Sequence, residues 1–260
     1  TLTMIPRIAL LGLAALVLSF IAVGRLRALA ERYAAIDVPN ERSAHARPTP
    51  LGGGLPIVLL SLGGLVMLWV YDQSWSGPAL AAYGFGSLLI AAVSLFDDLK
   101  NVGRPSRAFC HLLCATLLVL AFGFWRVVSL PLVGELELGW FGLPLTLIWI
   151  LGLLNAYNFM DGVDGLAGSQ AVIVGLAWGG FGFFAGEYLV AGLGVLIAAS
   201  SLGFLGHNWA PARIFMGDVG SVFLGYTFAA LPLIATRSSS RVALSGFLVL
   251  WPFIFDSSFT

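Results

Sequence analysis

Charge is scarce in this chain. Thirteen basic and thirteen acidic side chains are spread over 260 residues and cancel formally, 10% charged in all. A soluble domain carries about 25% charged residues, so a water-soluble globule is excluded. The absence of net positive charge removes the electrostatic basis for a nucleic-acid partner, and none is expected. Cysteine is nearly absent too. Cys110 and Cys114 lie four apart in an apolar run, on one helix face, which argues against a disulfide framework and against a zinc site. Long polar stretches are also missing, so no separate soluble domain is expected.

What is abundant is apolar sequence, at 59% with a mean hydropathy of +0.95. Runs of about 20 apolar residues recur along the whole chain, the length that crosses a bilayer as helix. The expected fold is all-α, a polytopic transmembrane bundle of about nine spans, with 1–260 forming a single integral membrane domain. Spans are expected near 4–24, 53–71, 78–96, 108–127, 140–158, 166–185, 188–206, 219–236 and 242–258. The first is read as a retained helix rather than a secretory signal, because Arg25 and Arg27 follow the apolar run and only Arg7 precedes it. Alternation around Glu135 to Leu138 suggests a short hairpin. The chain stops inside an apolar segment, so a further C-terminal part is expected beyond Thr260.

Counting spans sorts the charges. Arg25, Arg27, Arg32, Arg42, Arg47, Lys100, Arg104, Arg107 and Arg213 fall on one side, against Arg7, Arg126, Arg237 and Arg241 on the other. The positive-inside rule makes the first side cytoplasmic. Asp37, Asp97, Asp98, Asp161, Asp164, Asp218 and Asp256 land on that same side. Acids from distant loops therefore meet at one face.

Four stretches carry chemistry. The segment from Asp37 to Gly54, DVPNERSAHARPTPLGGG, holds Arg42, His45 and Arg47 as donors suited to a phosphate, framed by prolines and glycines. Taken singly, those arginines read equally well as an ordinary basic loop at lipid headgroups. Phe96-Asp97-Asp98 ends a span; adjacent carboxylates repel, and one tends to hold a proton or share a cation, which suits a base beside a metal. A lone Asp-Asp at a helix end is more often a cap or a solvated terminus. Asn155 to Gly168, NAYNFMDGVDGLAG, interleaves Asn158, Asp161 and Asp164 with glycines, offering oxygen ligands to a hard cation and a nucleotide. Finally His207 to Ser221 ends in Gly217-Asp218-Val219-Gly220-Ser221 at the start of a span, where backbone N–H groups and a carboxylate could hold a phosphate and a metal jointly. His207 alone reads better as a structural residue. Carboxylates, basic side chains and a cytoplasmic opening point to magnesium with a nucleotide or diphosphate substrate, and the membrane location to a lipid co-substrate.

In order and spacing, the stretches DVPNERSAHARPTPLGGG, FDDLKNVGRPSR, NAYNFMDGVDGLAG and NWAPARIFMGDVGS resemble those of the polyprenyl-phosphate N-acetylhexosamine-1-phosphate transferases, the glycosyltransferase family 4 type. The wording PNERSAHARPTP is closer to the branch that initiates O-antigen and capsule than to the peptidoglycan branch. The resemblance implies a Mg2+-dependent enzyme, with Mn2+ as the alternative ion, at the bacterial inner membrane with its site facing the cytoplasm. It would transfer a sugar 1-phosphate from a UDP-N-acetylhexosamine to undecaprenyl phosphate, releasing UMP and initiating a cell-envelope glycan. It implies that Asp97 deprotonates the lipid phosphate, that Asp98 sits beside it near the metal, and that Asp218 binds the metal. Asn158, Asp161 and Asp164 would line the nucleotide site, Arg107 would meet the diphosphate, and Arg42 and His45 would lie near the substrates. Direct attack is expected over an aspartyl-phosphate intermediate, and the family often forms homodimers. Leu51 departs from the family, whose initiators often carry a basic residue there; the sugar-reading loop would follow Thr260.

Two rivals share some features. A CDP-alcohol phosphotransferase would begin with Asp161-x-x-Asp164-Gly165, but Leu166-Ala167-Gly168-Ser169 lacks its continuing Ala-Arg pair. A secondary transporter would place its carboxylates near mid-membrane in broken, repeated helices.

Overall fold

The structure is a computed structural model that describes residues 3–33, 36–37, 48–100, 102–130, 134–235 and 242–259. Among the described residues nine α-helices follow in order: α1 (Met4–Tyr33), α2 (Leu55–Trp69), α3 (Gly77–Lys100), α4 (Arg104–Phe122), α5 (Gly142–Met160), α6 (Leu166–Ala185), α7 (Tyr188–Asn208), α8 (Asp218–Ala235) and α9 (Val242–Phe259). Two antiparallel ribbons are added, β1 (Ile36–Asp37) with β2 (Thr49–Pro50), and β3 (Val127–Leu130) with β4 (Gly134–Glu137). The alternating stretch is thus strand β4, with Val127 opposite Glu137 and Leu130 opposite Gly134. The protein is an all-α polytopic membrane bundle. Seven helices, all but α2 and α9, are long and apolar enough to cross a membrane.

Element boundaries shift from the expected spans for local reasons. Helix α1 runs past residue 24 to Tyr33, because RLRALAERY is made of good helix formers and Arg27 pairs with Glu31 one turn on at 2.9 Å. Helix α2 is only 15 residues, about 22 Å long and shorter than the expected 53–71. Its start is delayed because the N–H groups of Gly53 and Gly54 donate to the carbonyls of Phe215 and Met216, both at 2.9 Å. Helix α4 begins earlier than expected, at Arg104 with Pro105 in its first turn, and stops before Gly123, whose φ is +87°.

Helices α7 and α8 form the centre. Helix α7 packs against α1, α2 and α6, and α8 against α3, α5 and α9. Every residue of α8 from Val219 to Ala235 is buried. Helices α6 and α7 approach closely: a Cβ on Gly194 would lie 2.6 Å from the carbonyl oxygen of Gly175, and one on Gly175 2.7 Å from that of Gly194, so the backbones meet here because both positions are glycine. This close packing leaves little room for polar side chains inside, and the charged ones are driven to the helix ends.

Candidate active site

The candidate residues gather at one end of the bundle, where α3 finishes, α4 begins, α5 finishes and α8 begins. Asp97 and Asp98 lie in the last turn of α3, and Asp218 is the first residue of α8. This is a helix-end arrangement, not the mid-membrane one a coupling site in a transporter would need.

Arg107 on α4 bridges two of the acids. One guanidinium nitrogen, Nη1, donates to Asp97 Oδ2, and the other, Nη2, lies 3.0 Å from Asp218 Oδ2. Asn158, in the last turn of α5, donates from Nδ2 to Asp218 Oδ1 at 2.7 Å and to Ser221 Oγ at 3.0 Å. Asp218 is therefore oriented from both sides. The Asp97 side chain is 8% exposed, and its Oδ1 is buried with no hydrogen-bond donor. Leaving a buried carboxylate oxygen unsatisfied is costly, so this atom is poised for a proton or a cation.

Asp98 is engaged differently. Its Oδ1 accepts from the backbone N–H of Asp218 at 3.1 Å and its Oδ2 from that of Val219 at 3.3 Å. It caps α8 from another helix, satisfying N–H groups that a helix start leaves free and meeting the positive end of the helix dipole. Gly217 makes this possible: its φ is +75°, and a Cβ there would lie 2.7 Å from Asp98 Oδ2. Both carboxylate oxygens of Asp98 are thus committed to the fold.

Asp161 and Asp164 occupy the turn between α5 and α6. The carboxyl of Asp161 is held well above the usual carboxylate range, first by burial and then by the charges of Asp218 and Asp98. It thus belongs electrostatically to the same cluster, although the residue as a whole is only half-buried. Asp164 instead accepts the N–H of Ala212 on Oδ2 at 2.9 Å, tying this turn to the loop before α8. Arg42 and His45 lie outside the described residues.

Asn208 was not among the sequence candidates. Its Oδ1 accepts the N–H of Gly165 at 3.0 Å and its Nδ2 donates to the carbonyl of Ile214 at 2.9 Å, so one buried amide joins two of the four stretches. The signal was there in an amide beside His207 at a span end, masked by the histidine next to it. His207 itself contacts α1, with Nε2 2.9 Å from the Phe20 carbonyl and its ring 4.6 Å from that of Phe20. The first stretch is docked as well: Phe215 N–H donates to the Pro50 carbonyl at 2.8 Å.

The residues fit a hard divalent cation. Among the described residues no three His, Cys, Asp or Glu side chains enclose an ion by themselves. Magnesium is usually held by one or two carboxylates with substrate phosphates and water completing its shell, and the unsatisfied Oδ1 of Asp97 beside Asp218 supplies such an opening.

The fold and this constellation define a membrane-embedded protein with a polar, carboxylate-rich site at one end of a helical bundle. Residues 80–236 match the family described as glycosyl transferase family 4, and the chain belongs to that family. It is 32% identical over 237 residues to a probable undecaprenyl-phosphate N-acetylglucosaminyl 1-phosphate transferase of Bacillus subtilis, covering 90% of this chain and 65% of the relative. It is 34% identical over 273 residues to a decaprenyl-phosphate N-acetylglucosaminephosphotransferase of Mycolicibacterium smegmatis, covering 95% of this chain and 65% of the relative. A phospho-N-acetylmuramoyl-pentapeptide-transferase of Clostridium botulinum is 30% identical over 213 residues, 78% of this chain and 64% of the relative. The chain thus spans slightly less than two thirds of the length of these relatives.

Proposed function

We propose that the protein transfers N-acetylhexosamine 1-phosphate from a UDP-sugar to a polyprenyl phosphate at the cytoplasmic face of a bacterial inner membrane. The observation that carries this reading is the buried, donor-less Oδ1 of Asp97 set beside Asp218 and Arg107, a grouping suited to a proton, a cation and a diphosphate together. The printed activities of the two N-acetylglucosaminyl relatives support UDP-N-acetylglucosamine as the first donor to test and undecaprenyl phosphate as acceptor.

In this reading Asp97 accepts the proton of the acceptor phosphate. The freed phosphate oxygen attacks the donor phosphorus that carries the sugar, a new P–O bond forms, and the bond to the uridylyl phosphate breaks, releasing UMP. Direct attack is the route adopted, because it asks only a base of Asp97 and needs fewer groups. Asp98, with both oxygens occupied by the start of α8, takes no part as a nucleophile. Arg107 neutralises charge on the diphosphate, and Asn158 orients Asp218. Asp218, with Asp161 nearby, would hold magnesium or manganese beside Asp97, and the ion would offset the negative charge of the diphosphate. Asn158 and Asp161 face the nucleotide side, and Asp164 positions the turn they frame. From the family resemblance alone, we assign Arg42 and His45 to substrate contact and propose a homodimer.

The test is transfer of label from UDP-N-acetylglucosamine, labelled with 32P in the sugar phosphate, into the organic phase in membranes carrying the whole protein and undecaprenyl phosphate. Lipid-soluble label with release of UMP, lost on chelation of divalent metal, is expected. Label that stays aqueous with every UDP-N-acetylhexosamine would refute the reading.

A further inference from the structure

The start of α8 has no spare backbone donor for the phosphate expected there. Its first two N–H groups, of Asp218 and Val219, donate to Asp98, and the next two, of Gly220 and Ser221, to the Gly217 carbonyl, both at 3.1 Å. A ligand arriving here therefore depends on side chains and on how firmly they are aimed. Asp218 is the side chain concerned, and Asn158 aims it.

The amide of Asn158 is itself held. Its Nδ2 carries two hydrogens, one for Asp218 Oδ1 at 2.7 Å and one for Ser221 Oγ at 3.0 Å. Ser221 stands three residues after Asp218 on the same face of α8, and at 0% exposure its hydroxyl is closed to a ligand. That hydroxyl donates to the Gly217 carbonyl at 3.2 Å, which leaves its oxygen to accept from Asn158.

The two holds on the amide differ in kind. The bond to Asp218 is charge-assisted and weakens once a cation offsets the carboxylate charge. The bond to Ser221 joins neutral groups and keeps its strength when the site fills. The terminal torsion of asparagine is broad and roughly two-fold, so an amide held by one hydrogen alone can swing or flip. A flipped amide sets its oxygen against the carboxylate. Ser221 is the contact that keeps N–H presented to Asp218.

We propose that Ser221 is a positioning residue, acting through Asn158 to hold the Asp218 carboxylate in the orientation that binds a divalent cation. This rests on the transferase reading for its choice of ligand, but the effect is testable without turnover.

The experiment measures Mn2+ affinity by electron paramagnetic resonance for the whole protein in lipid nanodiscs, in wild type, Ser221→Ala, Asn158→Ala and the double variant. Thermal unfolding controls for folding, and sugar-phosphate transfer is measured alongside. Losing one neutral hydrogen bond is worth about fivefold in an equilibrium. Ser221→Ala should weaken Mn2+ binding by about that factor, and by less than about twofold once residue 158 is already alanine. Unchanged affinity in Ser221→Ala, or an equal loss in both backgrounds, would overturn the assignment, as would a wild type that binds no Mn2+. If Ser221→Ala does not fold, Ser221→Cys, whose thiol is a weak acceptor, is read in its place by the same outcomes. The expected Mn2+ pattern in a wild type that transfers no sugar phosphate would support the positioning role and refute the transferase reading instead.

Discussion

The two ends of the bundle handle charge in opposite ways. At the end where α3 stops and α8 starts, charged groups are partly buried and held by contacts between residues far apart in sequence: Asp98 with Asp218 and Val219, Arg107 with Asp218, Asn158 with Asp218. At the other end they rest on aromatic rings or stand open. Arg126 lies over Phe124 and Trp140 at 5.0 and 5.3 Å, Glu135 and Glu137 stand exposed on β4, and Arg7 covers Tyr71 at 3.8 Å. Cations resting on aromatic rings suit a lipid–water boundary, where the ring is partly apolar and the charge remains wet. Burying carboxylates has no such benefit and is costly unless a ligand compensates. The contrast therefore separates a site from a membrane rim.

Substitutions sharpen that contrast. The largest effect belongs to Asp97→Asn and Asp218→Asn, each of which should lower the turnover rate of sugar-phosphate transfer by about a thousandfold while the protein still inserts, as the loss of a positioned acid or base does. Transfer kinetics beside a membrane-extraction control would check this. Next is Asp98→Ala, which strips two N–H groups at the start of α8 of their acceptor. It should cost on the order of 2 kcal/mol of stability, read from thermal unfolding in detergent, with Asp98→Asn intermediate.

Asp161 gives a pH signature. Its folded-state pKa is raised, so the ionised form is penalised by folding; with metal chelated, wild-type stability should fall as pH rises from the ordinary carboxylate range through the raised value. Asp161→Asn should reduce that slope and be the more stable protein at high pH, and added magnesium should shrink the difference. Unfolding midpoints across a pH series measure it. The smallest effect belongs to the opposite end: Glu135→Gln with Glu137→Gln should change transfer by no more than about twofold, as exposed charges on a hairpin contribute little.

Much of this organisation could be read from the residues. Apolar runs and their spacing give the bundle and the order of its helices, and the acids announce themselves because charge is otherwise rare. The partners were not legible, since they depend on long-range geometry. Nothing in Asp97-Asp98 says that one carboxylate keeps an empty oxygen while its neighbour caps α8, 120 residues away. The late start of α2 was not legible because hydropathy does not report that Gly53 and Gly54 give their N–H groups to Phe215 and Met216. Asn208 went unnoticed because an amide's role as a tie between two loops appears only once both loops are placed.

The central claim is that Asp218 holds a cation beside the base Asp97, together with the diphosphate the cation accompanies. Electron paramagnetic resonance of Mn2+ added to the protein with a UDP-sugar tests it most directly. One tightly held ion with hyperfine coupling to 31P is expected, weakened at least about tenfold by Asp218→Asn and less by Asp97→Asn. Manganese bound equally well by both variants, or bound without phosphorus coupling, would contradict the account.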